Sequence, residues 1–221
     1  MKSPILLNVQ DPKERERSLR HASKIIGQGG LVAFPTESFY GLAVDPENEE
    51  SIRRLFKAKQ RPEGNPILLL IAEEELVHKF AEHVPETASR LIKQIWPGRV
   101  TLVFRARDHV SSLLTGGTGK IGLRLSSNSV ARALAGLAGG AITGTSANIS
   151  SKTPCLGPAD VLEQLGNKVD AILDGGQTPG GPGTTIVDVT GDRPRIIREG
   201  MVPRVEMEKY ICLSLGLAPK I

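Results

Sequence analysis

The residues best suited to chemistry in this chain are cations, hydroxyls and one side-chain amide, gathered around glycine and proline punctuation. Lys57, Lys59 and Arg61 stand at a predicted helix exit, where Pro62 prevents continuation. Lysine as a point charge and arginine as a planar fork would clamp a polyphosphate. The same cluster would also serve as a solvated cap that complements the helix dipole, and the sequence leaves both readings open. Arg124 follows the apolar run Ile121 to Leu123, and Arg198 ends another predicted strand just before Gly200. The hydroxyl set comprises Thr36 and Ser38 in the run from Pro35 to Gly41, then Thr145, Ser146, Asn148 and Ser150, then Thr184 and Thr185. Taken singly, such runs are ordinary turn and cap residues. Combined with four separated cations, they point to a phosphorylated ligand.

Several other chemistries are missing their residues. The segment Gly116 to Ile121 looks like a phosphate loop, but the first glycine of GxxxxGK[ST] would fall at Leu114, and Ile121 replaces the hydroxyl. No HExxH or GxSxG is present. His21, His78, His83 and His109 are scattered outside the punctuated loops and read as surface or helix-face residues. The excess of 28 basic over 24 acidic residues is mild, and 4% aromatic content argues against a base-stacking platform. Cys155 and Cys212 form no CxxC pattern, which disfavours a disulfide framework or a zinc site. The apolar run near the N-terminus, Ile5 to Leu7, is too short for a secretion signal. Neither Ile67 to Ala72 nor Ala133 to Ile142 is long enough to span a bilayer. A cytoplasmic protein with no membrane partner is expected.

These residues need a scaffold. Periodicity predicts strands at Pro4 to Val9, Leu31 to Phe34, Ile67 to Ala72, Val100 to Arg105, Lys120 to Leu125, Ala141 to Thr143, Ala171 to Leu173, Thr184 to Val189 and Arg195 to Arg198. Helices are predicted at Pro12 to Ile26, Glu49 to Lys59 after an Asn48 cap, Glu86 to Ile95, Ser129 to Leu137 and Pro158 to Leu165. Alternating elements give an α/β class, and the surplus of strands in the second half gives a mixed sheet. Pro35 to Gly41, Arg61 to Pro66, Gly144 to Pro158 and Gly175 to Gly183 read as loops beyond strand or helix ends, where ligands sit in open α/β sheets. A single domain over residues 1–221 is expected.

Eight motifs, in order, resemble the YrdC-like family: Pro35-Thr-Glu-Ser-Phe-Tyr-Gly-Leu42, Lys59-x-Arg61-Pro62-x-x-Asn65-Pro66, Trp96-Pro97-Gly98 with Thr101, Arg124, Thr145-Ser-Ala-Asn148, Asp174-Gly175-Gly176, Thr184-Thr-Ile-Val-Asp188 and Arg198-x-Gly200. The resemblance implies a twisted mixed open sheet flanked by helices, with a large concave basic cavity. The motif-bearing core would span about 15–205, with no additional C-terminal domain. It implies a threonylcarbamoyl-AMP synthase, which makes threonylcarbamoyl-adenylate and pyrophosphate from L-threonine, bicarbonate and ATP, with Mg²⁺ accompanying the nucleotide. The product would pass to a tRNA threonylcarbamoyl transferase complex for tRNA modification. By matching position, Thr36, Ser38, Arg124, Ser146 and Thr184 would contact threonine. Lys59, Arg61, Asn65, Asn148 and Arg198 would hold ATP, with Lys59, Arg61 and Arg198 stabilising charge during transfer; no protein-held metal is assigned.

The chain departs from the family pattern at Ser38, where threonine is commoner, at Leu70, where some relatives have histidine, at Ser126, where proline is usual, and at Ser151, where glycine usually follows. Ser38 keeps its hydroxyl. Leu70 and Ser126 bear on the shape of the amino-acid pocket, and Ser151 on the loop after Asn148. Two alternatives remain at this point: a double-stranded RNA or ribosome-associated binding protein, including weak RNA binding through a basic concavity, and a paralogue acting on another carbamoyl substrate.

Overall fold

Local capping sets the helices in place. The Asp11 carboxylate accepts from the Lys13 amide at 2.9 Å with Pro12 in the first turn, the Asn48 side chain accepts from the Ser51 amide at 3.0 Å, and Asn128 accepts from Val130 and Ala131 at 2.9 and 3.1 Å. A computed structural model describes residues 3–217. In chain order its strands are β1 (Ile5–Asn8), β2 (Val32–Pro35), β3 (Tyr40–Ala43), β4 (Leu69–Ile71), β5 (Val100–Arg105), β6 (Lys120–Leu125), β7 (Ala141–Thr143), β8 (Thr145–Ser146), β9 (Ala171–Asp174), β10 (Thr185–Asp188) and β11 (Arg195–Arg198). Its helices are α1 (Pro12–Gly27), α2 (Glu49–Lys59), α3 (Val77–Phe80), α4 (Glu86–Ile95), α5 (Ser112–Thr115), α6 (Ser129–Leu137), α7 (Pro158–Gln164) and α8 (Arg204–Ser214).

The strands form two mixed sheets rather than the single one expected. One has the order β1-β9-β2-β3-β8, the other β11-β10-β5-β6-β4-β7. The chain crosses between them at Gly144, which separates β7 from β8. A Cβ there would stand 2.5 Å from Leu68 and 2.9 Å from Leu70, so only glycine lets the backbone pass over those side chains. Thr143 ties the seam: its hydroxyl donates to the Leu42 carbonyl at 2.9 Å and accepts from the Val44 amide at 3.0 Å.

Two strands overlap segments read from sequence as loops. Tyr40–Ala43 pairs antiparallel with β2, and Thr145–Ser146 pairs antiparallel with β3. Tyr40 to Ala43 is buried throughout, so it lacks the polar alternation that marks a half-exposed strand. Gly41 accommodates the Phe34 ring, which a Cβ would approach to 2.6 Å. The helix α8 and the short α3 and α5 also fall outside the sequence-based elements; α8 has few buried residues, only Met207 and Ser214, so its periodic signal is weak.

Strand alternation sorts the second sheet into two faces. Leu69, Ile71, Leu102, Phe104, Ile121, Leu123 and Val187 belong to the main core. On the other face, Leu70 and Ile142 join a second core built with α1 and α6. Leu70 is paired in register with Arg124. Beyond this pair the helical cover ends, and the continuation of the same face forms the floor of a cavity.

Candidate functional site

The cavity encloses about 550 Å³, within the size range of small-molecule sites. Alternate residues of three strands make its floor: Lys120, Gly122 and Arg124 from β6, Thr101 and Val103 from β5, and Ile186 and Asp188 from β10. The β2–β3 turn supplies Thr36 and Ser38, β8 supplies Ser146, and the approach to β10 supplies Thr184. Arg61 and Arg198 also face this space, so three of the four cations expected to converge, with Lys59 the exception, line one cavity. Thus seven predicted residues, Thr36, Ser38, Arg61, Arg124, Ser146, Thr184 and Arg198, converge.

Backbone irregularities aim several of them. At the end of α2, Gln60 takes a left-handed conformation (φ 50°), while the Gln60 and Arg61 amides donate to the Lys57 and Phe56 carbonyls. This closure turns the chain so that Arg61 leaves the helix direction and reaches the cavity, its guanidinium donating to the Pro66 carbonyl at 3.0 Å. On β11, the register slips between Ile186 and Val187, so that Val187 faces Ile196 and Ile186 faces Arg198. Without that bulge, Arg198 would share the core-side face with Ile196. Its Nη2 donates to the Thr184 carbonyl at 2.8 Å and the Thr184 hydroxyl at 3.3 Å. Gly200 allows this approach, because a Cβ would lie 2.4 Å from the Thr184 carbonyl carbon.

The β2–β3 turn is held from several sides. The Thr36 hydroxyl donates to the Phe39 carbonyl at 2.7 Å and accepts from the Ser38 amide at 3.2 Å. The Tyr40 hydroxyl donates to the Gly176 carbonyl at 2.8 Å and accepts from the Gly175 amide at 3.1 Å, fixing the Asp174 to Gly176 loop. Burial pushes the Tyr40 phenol up to about 12, with the Asp174 charge acting in the same sense against the Gly175 amide. Thr101 and Thr184 share a hydrogen bond of 3.0 Å across the floor.

Three expected residues do not line the cavity. Lys59 is 1% exposed, and its ammonium donates to the Ser146 carbonyl and, at 2.8 Å, to the Asn148 carbonyl. It therefore braces β8 from behind. Burial, and secondarily the Arg61 charge, pulls its pKa down to about 7. The Asn148 amide donates to the Ile149 and Lys152 carbonyls at 2.8 and 2.7 Å, while its Oδ1 is buried without a partner. Asn65 lies exposed beside the rim, where its carbonyl accepts from Arg61. Ser151, one of the departures, takes φ 68°, the left-handed region that glycine enters freely.

Sequence reasoning assigned no role to Glu37, which is buried beside Arg124 and forms an ion pair with it. The second oxygen of Glu37 accepts from the Ser126 hydroxyl. The available signal was a carboxylate enclosed by Thr36 and Ser38 in a site loop, which must find a cation if buried. A second pair, Lys120 and Asp188 at 2.8 Å, crosses the cavity floor. Desolvation alone would raise the Asp188 pKa, but the bonds from Lys120 and Thr190 prevail and hold it below its ordinary value. The Gly117-x-Gly119-x-x-Gly122 spacing matches a dinucleotide fingerprint, yet it runs from a turn into β6 rather than into a helix. All four histidines are exposed. No helix among the described residues is long and apolar enough to cross a membrane.

Comparison with known proteins agrees with this architecture. The chain is 38% identical over 207 residues to a threonylcarbamoyl-AMP synthase of Pyrococcus abyssi, spanning 94% of this chain and 61% of that relative's length. It is 34% identical over 169 residues to the enzyme of the same name from Halorhodospira halophila, spanning 76% of this chain and 88% of the relative. The crystal structure of P. abyssi Sua5 complexed with L-threonine superposes with a TM-score of 0.89 at 37% identity, over 94% of this chain and 61% of that one. The E. coli YciO structure gives 0.81 at 27% identity, over 94% of this chain and 99% of that one. The family model Sua5_yciO_yrdC, described as "Telomere recombination", matches residues 24–200, and the chain belongs to that family.

Proposed function

We propose that the chain is a threonylcarbamoyl-AMP synthase that joins L-threonine, bicarbonate and ATP into threonylcarbamoyl-adenylate with release of pyrophosphate. The observation that carries this reading is one cavity lined by both hydroxyls and cations. Thr36, Ser38 and Arg124 are suited to an amino acid, and Arg61 and Arg198 to phosphates. The relatives' names and the threonine complex of the P. abyssi protein support it.

In the reaction, the threonine amine attacks the bicarbonate carbon, water leaves, and a carbamate forms. A carbamate oxygen then bonds to the α-phosphorus as the bond from that phosphorus to pyrophosphate breaks. Both nucleophiles come from substrates, so the protein's task is alignment and charge stabilisation. Arg124 takes the threonine carboxylate; Ser38, Ser146, Thr36 and Thr184 supply polar contacts. Arg61 and Arg198 stabilise the phosphoryl oxygens and the leaving pyrophosphate. Lys59 and Asn148 contribute by holding the segment that presents Ser146, and reach ATP directly only if residues 145–152 shift. Asn65 lies beside Arg61 for a contact at the rim.

The donor set does not make a protein-held Mg²⁺ site. Among the described residues no group of three or more His, Cys, Asp or Glu is placed to hold a metal, and Asp188, the carboxylate lining the cavity, is already bonded to Lys120 and Thr190. We therefore assign Mg²⁺ to the ATP phosphates as part of that substrate, with no step routed through it. The product is passed to a tRNA threonylcarbamoyl transferase complex. Both cysteines are free thiols, which suits the reducing cytoplasm where we place the reaction.

Purified protein incubated with ATP, L-threonine, bicarbonate and Mg²⁺ should release pyrophosphate in a threonine-dependent manner and yield the adenylate. Pyrophosphate release indifferent to threonine would overturn the reading.

A further inference from the structure

We infer that Glu37 and Ser126 are a positioning pair that holds the Arg124 guanidinium so that its Nε–Nη2 edge is kept for the substrate carboxylate; this rests on the threonine reading above. Arg124 and Glu37 have side-chain exposures of 5% and 8%, so neither charge is screened by solvent. Arg124 Nη1 donates to Glu37 Oε1. Among the described residues this is the only hydrogen bond the guanidinium makes, and its Nε is buried without a partner. A buried guanidinium N–H left unpaired is costly, yet Arg124 lines the cavity. A ligand carboxylate meeting the Nε–Nη2 edge would satisfy Nε and form the two parallel bonds that arginine makes best.

Ser126 explains why Glu37 does not take that edge itself. A free carboxylate beside arginine favours a two-pronged pairing. Here the Ser126 hydroxyl donates to Glu37 Oε2, turning the second oxygen away from the guanidinium. The Ser126 oxygen also accepts from the Asn128 amide at 3.1 Å, which leaves its own proton directed at Glu37. Asn128 in turn caps α6. A line of fixed groups therefore runs from a helix end through Ser126 and Glu37 to Arg124. Glu37 also offsets the desolvation of Arg124 and the nearby positive charge of Arg198, which together push the Arg124 pKa down.

The test is calorimetric titration of L-threonine and, separately, of ATP into the full chain and into Ser126→Ala and Ser126→Thr. We expect Ser126→Ala to bind threonine about tenfold more weakly, on the scale of one hydrogen bond to a charged group, with ATP affinity held within about twofold. Ser126→Thr, which keeps the hydroxyl, should restore threonine binding, and unchanged ATP affinity reports an intact cavity. Equal weakening of both ligands would indicate a merely structural role and overturn the proposal, as would unchanged threonine binding in Ser126→Ala. A wild-type chain that binds ATP but not threonine would overturn the threonine reading, and the positioning pair with it.

Discussion

The arginines that line the cavity are held in two different ways. Arg124 is buried, bonded to a buried carboxylate and fixed from behind by Ser126. Arg61 and Arg198 are more open and donate to backbone carbonyls, of Asn65 and Pro66 in one case and Thr184 in the other. A charge balanced inside the protein holds one geometry and can read a small, rigid group such as an amino-acid carboxylate. A charge met only by neutral dipoles keeps its net attraction for anions and suits the dispersed charge of phosphates. Burial and partner, rather than residue type, separate the two tasks.

The comparison can be broken in graded ways. The largest effect should come from Arg124→Ala, which strands the Glu37 carboxylate in the interior. We expect a loss of about 3 to 5 kcal/mol of folding stability, readable by urea unfolding, together with loss of threonine binding. A variant as stable as the parent would erase the distinction between the two kinds of arginine. Arg61→Ala and Arg198→Ala should each weaken ATP binding by about 1.5 to 3 kcal/mol, while their unfolding midpoints stay close to the parent's because no buried counter-charge is orphaned. ATP titrations unaffected by both would remove the phosphate role of these two arginines.

Gly200→Ala should cost about 1 to 3 kcal/mol by overpacking against the Thr184 backbone. Its ATP affinity should fall as Arg198 is displaced, and melting curves with ATP titrations would show a neutral outcome if the bulged end were adaptable. A last test concerns Lys59, whose pKa near 7 lies below its ordinary 10.5. Between those values the unfolded chain binds more protons than the folded one, so the stability contributed at this position rises with pH across the window and is lower below about 7. Stability of the parent relative to Lys59→Met should therefore increase from pH 7 to 9. A flat difference would mean that Lys59 stays charged behind β8.

Much of this organisation was legible beforehand. Helices α2, α4 and α6 and strands β5, β6 and β7 occupy the predicted ranges, because their caps and apolar periods are local properties. Seven site residues were identifiable from type and motif. Glu37 was not, since a carboxylate among hydroxyls carries no mark of the arginine 87 positions away that neutralises it. Ser126 was visible only as a departure; its role depends on what stands opposite. Lys59 and Asn148 had the right chemistry for phosphate, but their carbonyl partners turn them away from the cavity.

The sequence by itself determined the mixed α/β class, the family, and the inventory of cations and hydroxyls, because period, capping and motif order are written along the chain. Tertiary structure decided which of those groups share a space. The seam at Gly144, the left-handed turn at Gln60 and the bulge on β11 each redirect a segment. Whether an arginine faces solvent, a carbonyl or a buried carboxylate follows from those redirections, because electrostatic strength and pKa depend on partners and burial that only the folded chain supplies.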